Sequence, residues 1–156
     1  MGVKYIIGHW TAGNYKPNVT DLNSYQLLID SNGGKHTGRA VGEASSTGGM
    51  NSITYNISCC GGLDSTPIKR IQIEAFYKTC AEKIKEYGLK ISDFYTHAEI
   101  GELCRSCEIT KLLPYNSFLQ QNIGKIDLRT LPDIKGSAQE TGDFIRNKIR
   151  WYYEKL

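Results

Sequence analysis

The sequence predicts an α/β fold: a single domain with a central mixed β-sheet flanked by helices. Three observations carry that reading. The first half alternates short β-rich apolar runs with connections rich in Gly, Ser, Thr and Asn. Beyond Thr66 the apolar spacing changes to a helical period. No repeat, low-complexity tract or linker divides the 156 residues, so residues 1–156 are expected to form one domain.

The elements follow in order. Val3 to His9 is a short strand candidate running out into a polar loop. Ser24 to Asp30 is a second, closed by the turn signal Asn32-Gly33-Gly34, with Lys35 to Val41 as its hairpin partner. Ile53 to Cys60 is a third, closed by Gly61-Gly62. Thr66 as N-cap and Pro67 at the first helical position start a helix. Ile73, Tyr77, Cys80, Ile84 and Tyr87 mark its inner face, and Gly88 stops it. This long helix is expected to cover one face of the sheet. Leu89 to Thr96 leads through a short strand to His97, and residues 98–125 form a long, partly helical excursion. Ser137 and Glu140 have capping-box spacing, and Ile145, Ile149, Tyr152 and Leu156 line one face of a last helix. Gly142 weakens that helix near its start. Its end, with Trp151, Tyr152 and Tyr153 among Lys and Arg, reads as an amphipathic helix docking on the sheet.

Composition bounds the function. A net charge of +3 is too small to point to nucleic acid, so no nucleic-acid partner is expected. No run approaches the roughly 20 apolar residues of a membrane helix, so no membrane insertion is expected. The start, MGVKYIIGHW, lacks the pattern of a secretory signal, which implies synthesis in the cytoplasm. The five cysteines, Cys59, Cys60, Cys80, Cys104 and Cys107, cannot all pair within one chain, and reduced thiols are the default. Cys80 falls on the apolar helix face as a core thiol. Cys104 and Cys107 make half of a structural zinc pattern. Cys59 and Cys60 cannot easily complete it, because adjacent strand residues point to opposite faces.

Three histidines are present: His9, His36 and His97. His9 and His97 each end a strand candidate, where α/β sheets gather their ligands. A hydrolytic zinc site needs about three protein ligands and an open position. Spacing alone does not separate a His9–His97 metal pair from two ordinary histidines.

Order of motifs adds to this. HWTAG, SYQLLIDSNG, NSITYNISCCGG, TPIK, THAE and KIDL follow one another between about Tyr5 and about Leu131. Together they resemble the zinc amidase family that includes short phage lysozymes, bacterial anhydro-muropeptide amidases and animal peptidoglycan-recognition proteins. The resemblance implies a Zn2+ enzyme that cuts the amide between N-acetylmuramic acid and L-alanine in bacterial peptidoglycan. It implies His9 and His97 as zinc ligands. Asp127, two residues after Lys125, matches a third ligand that is Cys in some members and Asp in others. Cys104 or Cys107 is a rival third ligand that lacks the lysine spacing. Tyr25 matches a tyrosine close to the nucleophilic water, and Lys125 a cation that steadies the oxyanion. Ser58 stands where other members carry a glutamate base, which makes this a tyrosine-type variant.

The sequence also departs from the family. Gln26 stands where many relatives have histidine, and Ser46 or a neighbour replaces another. His36 reads as a surface hairpin residue. The implied role is a monomeric phage-type endolysin that acts on the cell wall. The competing readings are an amidase effector delivered by a secretion system and a non-catalytic peptidoglycan-binding module. The latter typically lacks a zinc ligand, whereas His9, His97 and Asp127 are all present here.

Overall fold

A computed structural model of the chain describes residues 2–156. Its centre is a five-stranded sheet made of β1 (Tyr5–Trp10), β2 (Leu27–Ile29), β3 (Lys35–Thr37), β4 (Thr54–Cys59) and β5 (Phe94–Thr96). The spatial order is β3-β2-β4-β1-β5. β1 runs parallel to β4 and β5, β2 runs parallel to β4, and β3 pairs antiparallel with β2. The sheet is therefore mixed, as expected.

The two-residue period of β1 and β4 divides the molecule. Ile6, Trp10, Tyr55, Ile57 and Cys59 enter the larger core, under helix α2 (Arg70–Glu86) and helix α4 (Ala138–Tyr153). Gly8 shares that face because a Cβ there would press into the Phe94 and Phe76 rings. Ile7, His9, Thr54, Asn56 and Ser58 alternate with these, and all five are buried. A second cover lies over that opposite face: the loop through Met50, helix α3 (His97–Arg105) and a 3-10 turn at Ser117–Asn122. Met50, Ile100, Ile109 and Leu119 close on Ile7 as a smaller core.

Several boundaries differ from the sequence reading. Val19–Ser24 is a helix, α1, so Ser24 ends a helix rather than starting the strand. Asn18 and Asp21 form a reciprocal capping box that takes Ser24 into its last turn, so β2 starts only at Leu27. Regular pairing of β3 ends at Thr37, short of Val41. Helix α2 begins at Arg70, not Pro67. Thr66 is used instead to tie loops together, its hydroxyl donating to the Gly13 carbonyl. Gln72 does the capping: its Oε1 accepts from Lys69 N–H, and its Nε2 donates to the carbonyls of Ile29 and Cys60. The stop at Gly88 holds, with φ of +64°, and Leu89 N–H bonds back to Ile84 O.

A small hairpin, β6 (Thr130–Leu131) with β7 (Ile134–Lys135), had no clear sequence signal. The Ser137–Glu140 capping box starts α4 as read. Leu156 lies past the end of α4 and is exposed, so the buried face stops earlier. Gly142 has a packing reason. A Cβ at that position would collide with the Glu99 carboxylate, which lies against α4 in the grip of Arg146.

Candidate metal centre

Three segments far apart in sequence converge on the face of the sheet opposite α2. His9 stands near the end of β1 and is 1% exposed. His97 is the first residue of α3, whose N-terminus is closed by a capping box between Thr96 and Glu99. Glu99 is also clamped by two nitrogens of Arg146, at 2.8 and 2.7 Å, which fastens the start of α3 to α4. Asp127 comes from the loop after the 3-10 turn. Its successor Leu128 has a φ of +65° and a fully buried side chain. A left-handed leucine is unusual. Here it turns Leu128 into the larger core while Asp127 faces the histidines. Trp10 N–H donates to Asp127 Oδ2 at 3.3 Å.

The same Oδ2 lies 3.5 Å from His9 Nδ1 and 3.7 Å from His97 Nδ1. Ligand atoms of the three residues all lie within 4.8 Å of one another. The far nitrogens are occupied. His9 Nε2 meets Asn56 Oδ1 at 2.8 Å, and His97 Nε2 meets Asn122 Oδ1 at 2.7 Å.

Amide orientation settles where the ring protons sit. Asn122 Nδ2 faces two backbone carbonyls, Gly48 O and Leu119 O, which can only accept. Its Oδ1 is thus the atom facing His97, and His97 Nε2 must donate. The second chain is longer by one link. Gln26 Nε2 donates to Ala40 O, and Gln26 Oε1 accepts from Asn56 N–H. That oxygen also takes Asn56 Nδ2, which leaves Asn56 Oδ1 for His9 Nε2–H. Thr47 adds a hydroxyl hydrogen bond to Asn56 Oδ1 at 2.8 Å.

Burial, with His97 beside it, keeps His9 neutral against the pull of Asp127. Burial also opposes ionisation of Asp127. The two imidazoles outweigh it and hold this carboxyl well below the usual range. With both Nε2 atoms donating to asparagine oxygens, the two Nδ1 atoms and one carboxylate oxygen face a common point. That arrangement calls for a cation. The edges of a tetrahedron around zinc with ligands at its usual distances are about 3.4 Å, close to the two Nδ1–Oδ2 separations. The donor set fits zinc.

Tyr25 stacks beside His9, with ring centroids 5.0 Å apart, and its hydroxyl reaches Trp10 O at 3.4 Å. Burial first, then Asp127, pushes its phenol far above the ordinary value, while Ser58 opposes weakly. Tyr25 thus stays protonated. Lys125 is exposed and lines two adjoining cavities, of about 460 and 390 Å³, that share His97, Ser45 and Ser46. All five sequence-derived site residues meet at or beside this place.

The family model for N-acetylmuramoyl-L-alanine amidase matches residues 1–108. The chain belongs to the N-acetylmuramoyl-L-alanine amidase family. His9, Tyr25 and His97 lie inside the match, while Lys125 and Asp127 lie beyond it. Among solved structures, the chain is similar to the Staphylococcus aureus hydrolase AmiA at 15% identity. That match has a TM-score of 0.61 and covers 99% of this chain and 76% of AmiA. It is similar to the amidase LysC from Clostridium intestinale URNW at 18% identity and a TM-score of 0.53, over 62% of this chain and 71% of that one. The Ph2119 endolysin from the Thermus scotoductus MAT2119 bacteriophage aligns at 16% identity and a TM-score of 0.52, over 64% and 73%. At these identities the likeness speaks to the fold. None of the curated proteins compared matches the sequence.

Other candidates fall elsewhere. His36 is held by Asp30 at 2.7 Å in the β2–β3 hairpin. Cys104 and Cys107 line a separate cavity with Ile109 and Tyr115, away from the three ligand candidates. All five cysteines are free thiols. Asn56, Asn122 and Thr47 escaped the sequence reading. For Asn56 a signal existed: an amide in the middle of an otherwise β-rich run needs a buried partner. Asn122 and Thr47, in polar loops, offered none.

Proposed function

We propose that this family member is a zinc-dependent amidase cutting the amide between the lactyl group of N-acetylmuramic acid and L-alanine, in the manner of a phage-type endolysin. The observation that carries the reading is the convergence of His9 Nδ1, His97 Nδ1 and Asp127 Oδ2 with their lone pairs turned inward. Zinc bound there would lower the pKa of water and polarise the lactyl carbonyl. The ligand set is the one a purely binding relative would be expected to have lost.

Residues 1–156 act as one catalytic domain, and the cleft over the ligand set takes the scissile amide. Asn56 and Asn122 hold both imidazoles in the tautomer that presents Nδ1. Lys125, at the junction of the two cavities, supplies positive charge where the carbonyl oxygen turns anionic. An interaction that strengthens as charge develops speeds the chemical step. Tyr25 serves as a hydrogen-bond donor that orients the reacting groups, because its raised pKa makes it a poor base. Among the described residues, no helix is long and apolar enough to cross a membrane. The protein is read as a monomer that meets its polymer at the cell wall.

The test is release of L-alanine amino termini from purified peptidoglycan. His9→Ala, His97→Ala and Asp127→Ala should each lose zinc and activity together, whereas Lys125→Ala should keep zinc and turn over more slowly. Undiminished lysis by wild-type protein stripped of metal would sink the mechanism.

A further inference from the structure

Helix α3 ends in an unusual way. Ser106 caps it, and Cys107 follows in the left-handed region with a φ of +63°. Glycine normally fills that position, because a side chain there is strained. Here it is a cysteine, and it is exposed. Its N–H donates to Cys104 O at 3.2 Å. A turn closed by that bond holds the two Cα atoms within about 7 Å, a separation that a disulfide can span. Both cysteines line one cavity of about 410 Å³, together with Ile109, Leu119 and Ile123.

The pair is not half of a metal site. Among the described residues, only His9, His97 and Asp127 form a group of three or more His, Cys, Asp or Glu able to share an ion. Cys104 and Cys107 therefore lack the further ligands of a structural zinc. The other thiols are of a different kind. Cys59, Cys60 and Cys80 are fully buried, and burial pushes all three up, Cys60 to about 12. Thiolate is the nucleophile in disulfide exchange, so these three are inert in the folded protein.

One residue joins the pair to the ligand set. The 3-10 turn Ser117–Asn122 has the cysteine cavity on one flank and a cavity at His97 on the other. Asn122 lies within hydrogen-bonding reach of the Cys104 thiol and meets His97 Nε2 at 2.7 Å. Cys104 also packs on the smaller core that holds Ile109 and Leu119.

We propose that Cys104 and Cys107 are a redox-active pair that closes to a disulfide by exchange with a low-molecular-weight disulfide, and that closure loosens the Asn122 support of His97. Cys107, as the exposed thiolate, attacks one sulfur of the small disulfide and expels the other as a thiolate, which takes up the proton Cys107 released. Cys104 then gives its proton to solvent, attacks Cys107 Sγ in the mixed disulfide and expels the second small thiolate, which is protonated in turn. Two protein thiols are oxidised, and one small disulfide is reduced to two thiols. To reach Cys107, the Cys104 sulfur leaves Asn122, whose side chain then keeps only its bonds to Gly48 O, Leu119 O and His97. The effect on His97 rests on the zinc reading; the disulfide does not.

The test treats zinc-loaded protein with oxidised glutathione under native conditions. Wild type should lose two hydrogens by intact mass, and peptide mapping should place the bond between Cys104 and Cys107. Cys104→Ser should stop with one glutathione attached to Cys107, and Cys107→Ser should form no intrachain disulfide. Oxidation of wild type should shift the Asn122 side-chain amide in 15N spectra and weaken zinc binding by up to about tenfold, the lower end for loss of a ligand's support. Dithiothreitol should reverse both changes, and Cys107→Ser should show neither. No reaction, glutathione attached without closure, or a bond to a buried cysteine would overturn the redox pair. Closure that leaves both the Asn122 amide and zinc affinity unchanged would overturn the coupling. If the protein binds no zinc yet the disulfide forms and moves the Asn122 amide, the zinc reading falls and the redox pair stands.

Discussion

Gly142→Ala sets two physical rules against each other. In a helix interior alanine is better than glycine by about 1 kcal/mol, so propensity alone predicts a more stable protein. The structure predicts the opposite sign. A methyl on residue 142 would land on the carboxylate carbon and both oxygens of Glu99. That carboxylate accepts two hydrogen bonds from Arg146 and one from Thr96 N–H at 3.0 Å. The side chains of the pair are only 8% and 15% exposed. Breaking a buried ion pair costs about 3–5 kcal/mol, and a single charged hydrogen bond about 1.5–3. Even partial displacement of Glu99 outweighs the helical gain, for a net loss of about 1–3 kcal/mol. The assay is urea unfolding of the zinc-free protein, comparing midpoints at constant slope. In a Glu99→Ala background the obstacle is gone, and the same Gly142→Ala change should become stabilising. Zinc affinity should fall in the single variant, because Glu99 caps the helix that begins with His97. A Gly142→Ala protein more stable than wild type by about 1 kcal/mol would refute the packing argument.

Other perturbations read out the site and its supports. Asn122→Ala should weaken zinc binding about 10- to 100-fold by competition with a chromophoric chelator, since His97 loses the acceptor that fixes its tautomer; unchanged affinity would count against the ligand assignment. Gln26→Leu should act more weakly, by about tenfold or less, through release of the Asn56 amide, with a second His9 tautomer visible in long-range 15N spectra of the apoprotein; a single unchanged tautomer would show that Gln26 does not set it. Burial pulls the Asp30 carboxyl upward, but hydrogen bonds from His36 and from Gly34 and Asn32 N–H outweigh it, so its folded pKa is lowered. Its stabilisation is then present above the unfolded value of about 3.9 and drains as pH falls through the lower folded value. Wild type should therefore lose more stability than Asp30→Asn between pH 6 and pH 3 in urea melts; equal losses would contradict the shift.

The sheet was legible because its strands carry strong local signals. YIIGHW and TYNISC are β-rich, the second is closed by Gly61-Gly62, and the NGG turn leaves one plausible hairpin. The long helix was legible from its buried face, but its start was not. Thr66-Pro67 is a sound local signal for an N-terminus, and tertiary bonds from Thr66 to Gly13 and from Gln72 to two strands override it. The ligand trio was legible only through motif order. Nothing local relates Asp127 to His9, which lies 118 positions earlier. The Asn56 and Asn122 supports depend on which carbonyl faces which amide, a fact of three-dimensional packing.

The positions that break local rules are not scattered. An asparagine inside a buried strand, a glycine in the first turns of a helix, a left-handed leucine and an unpaired serine hydroxyl each look like a defect in isolation. Asn56 orients His9. Gly142 admits the Glu99 carboxylate that anchors His97. Leu128 turns Asp127 inward, and Ser46 lines the same cavities as His97 and Lys125. A fold selected for stability alone has no reason to collect four such costs around one point. A fold that brings two imidazoles and a carboxylate within reach of one candidate cation position does.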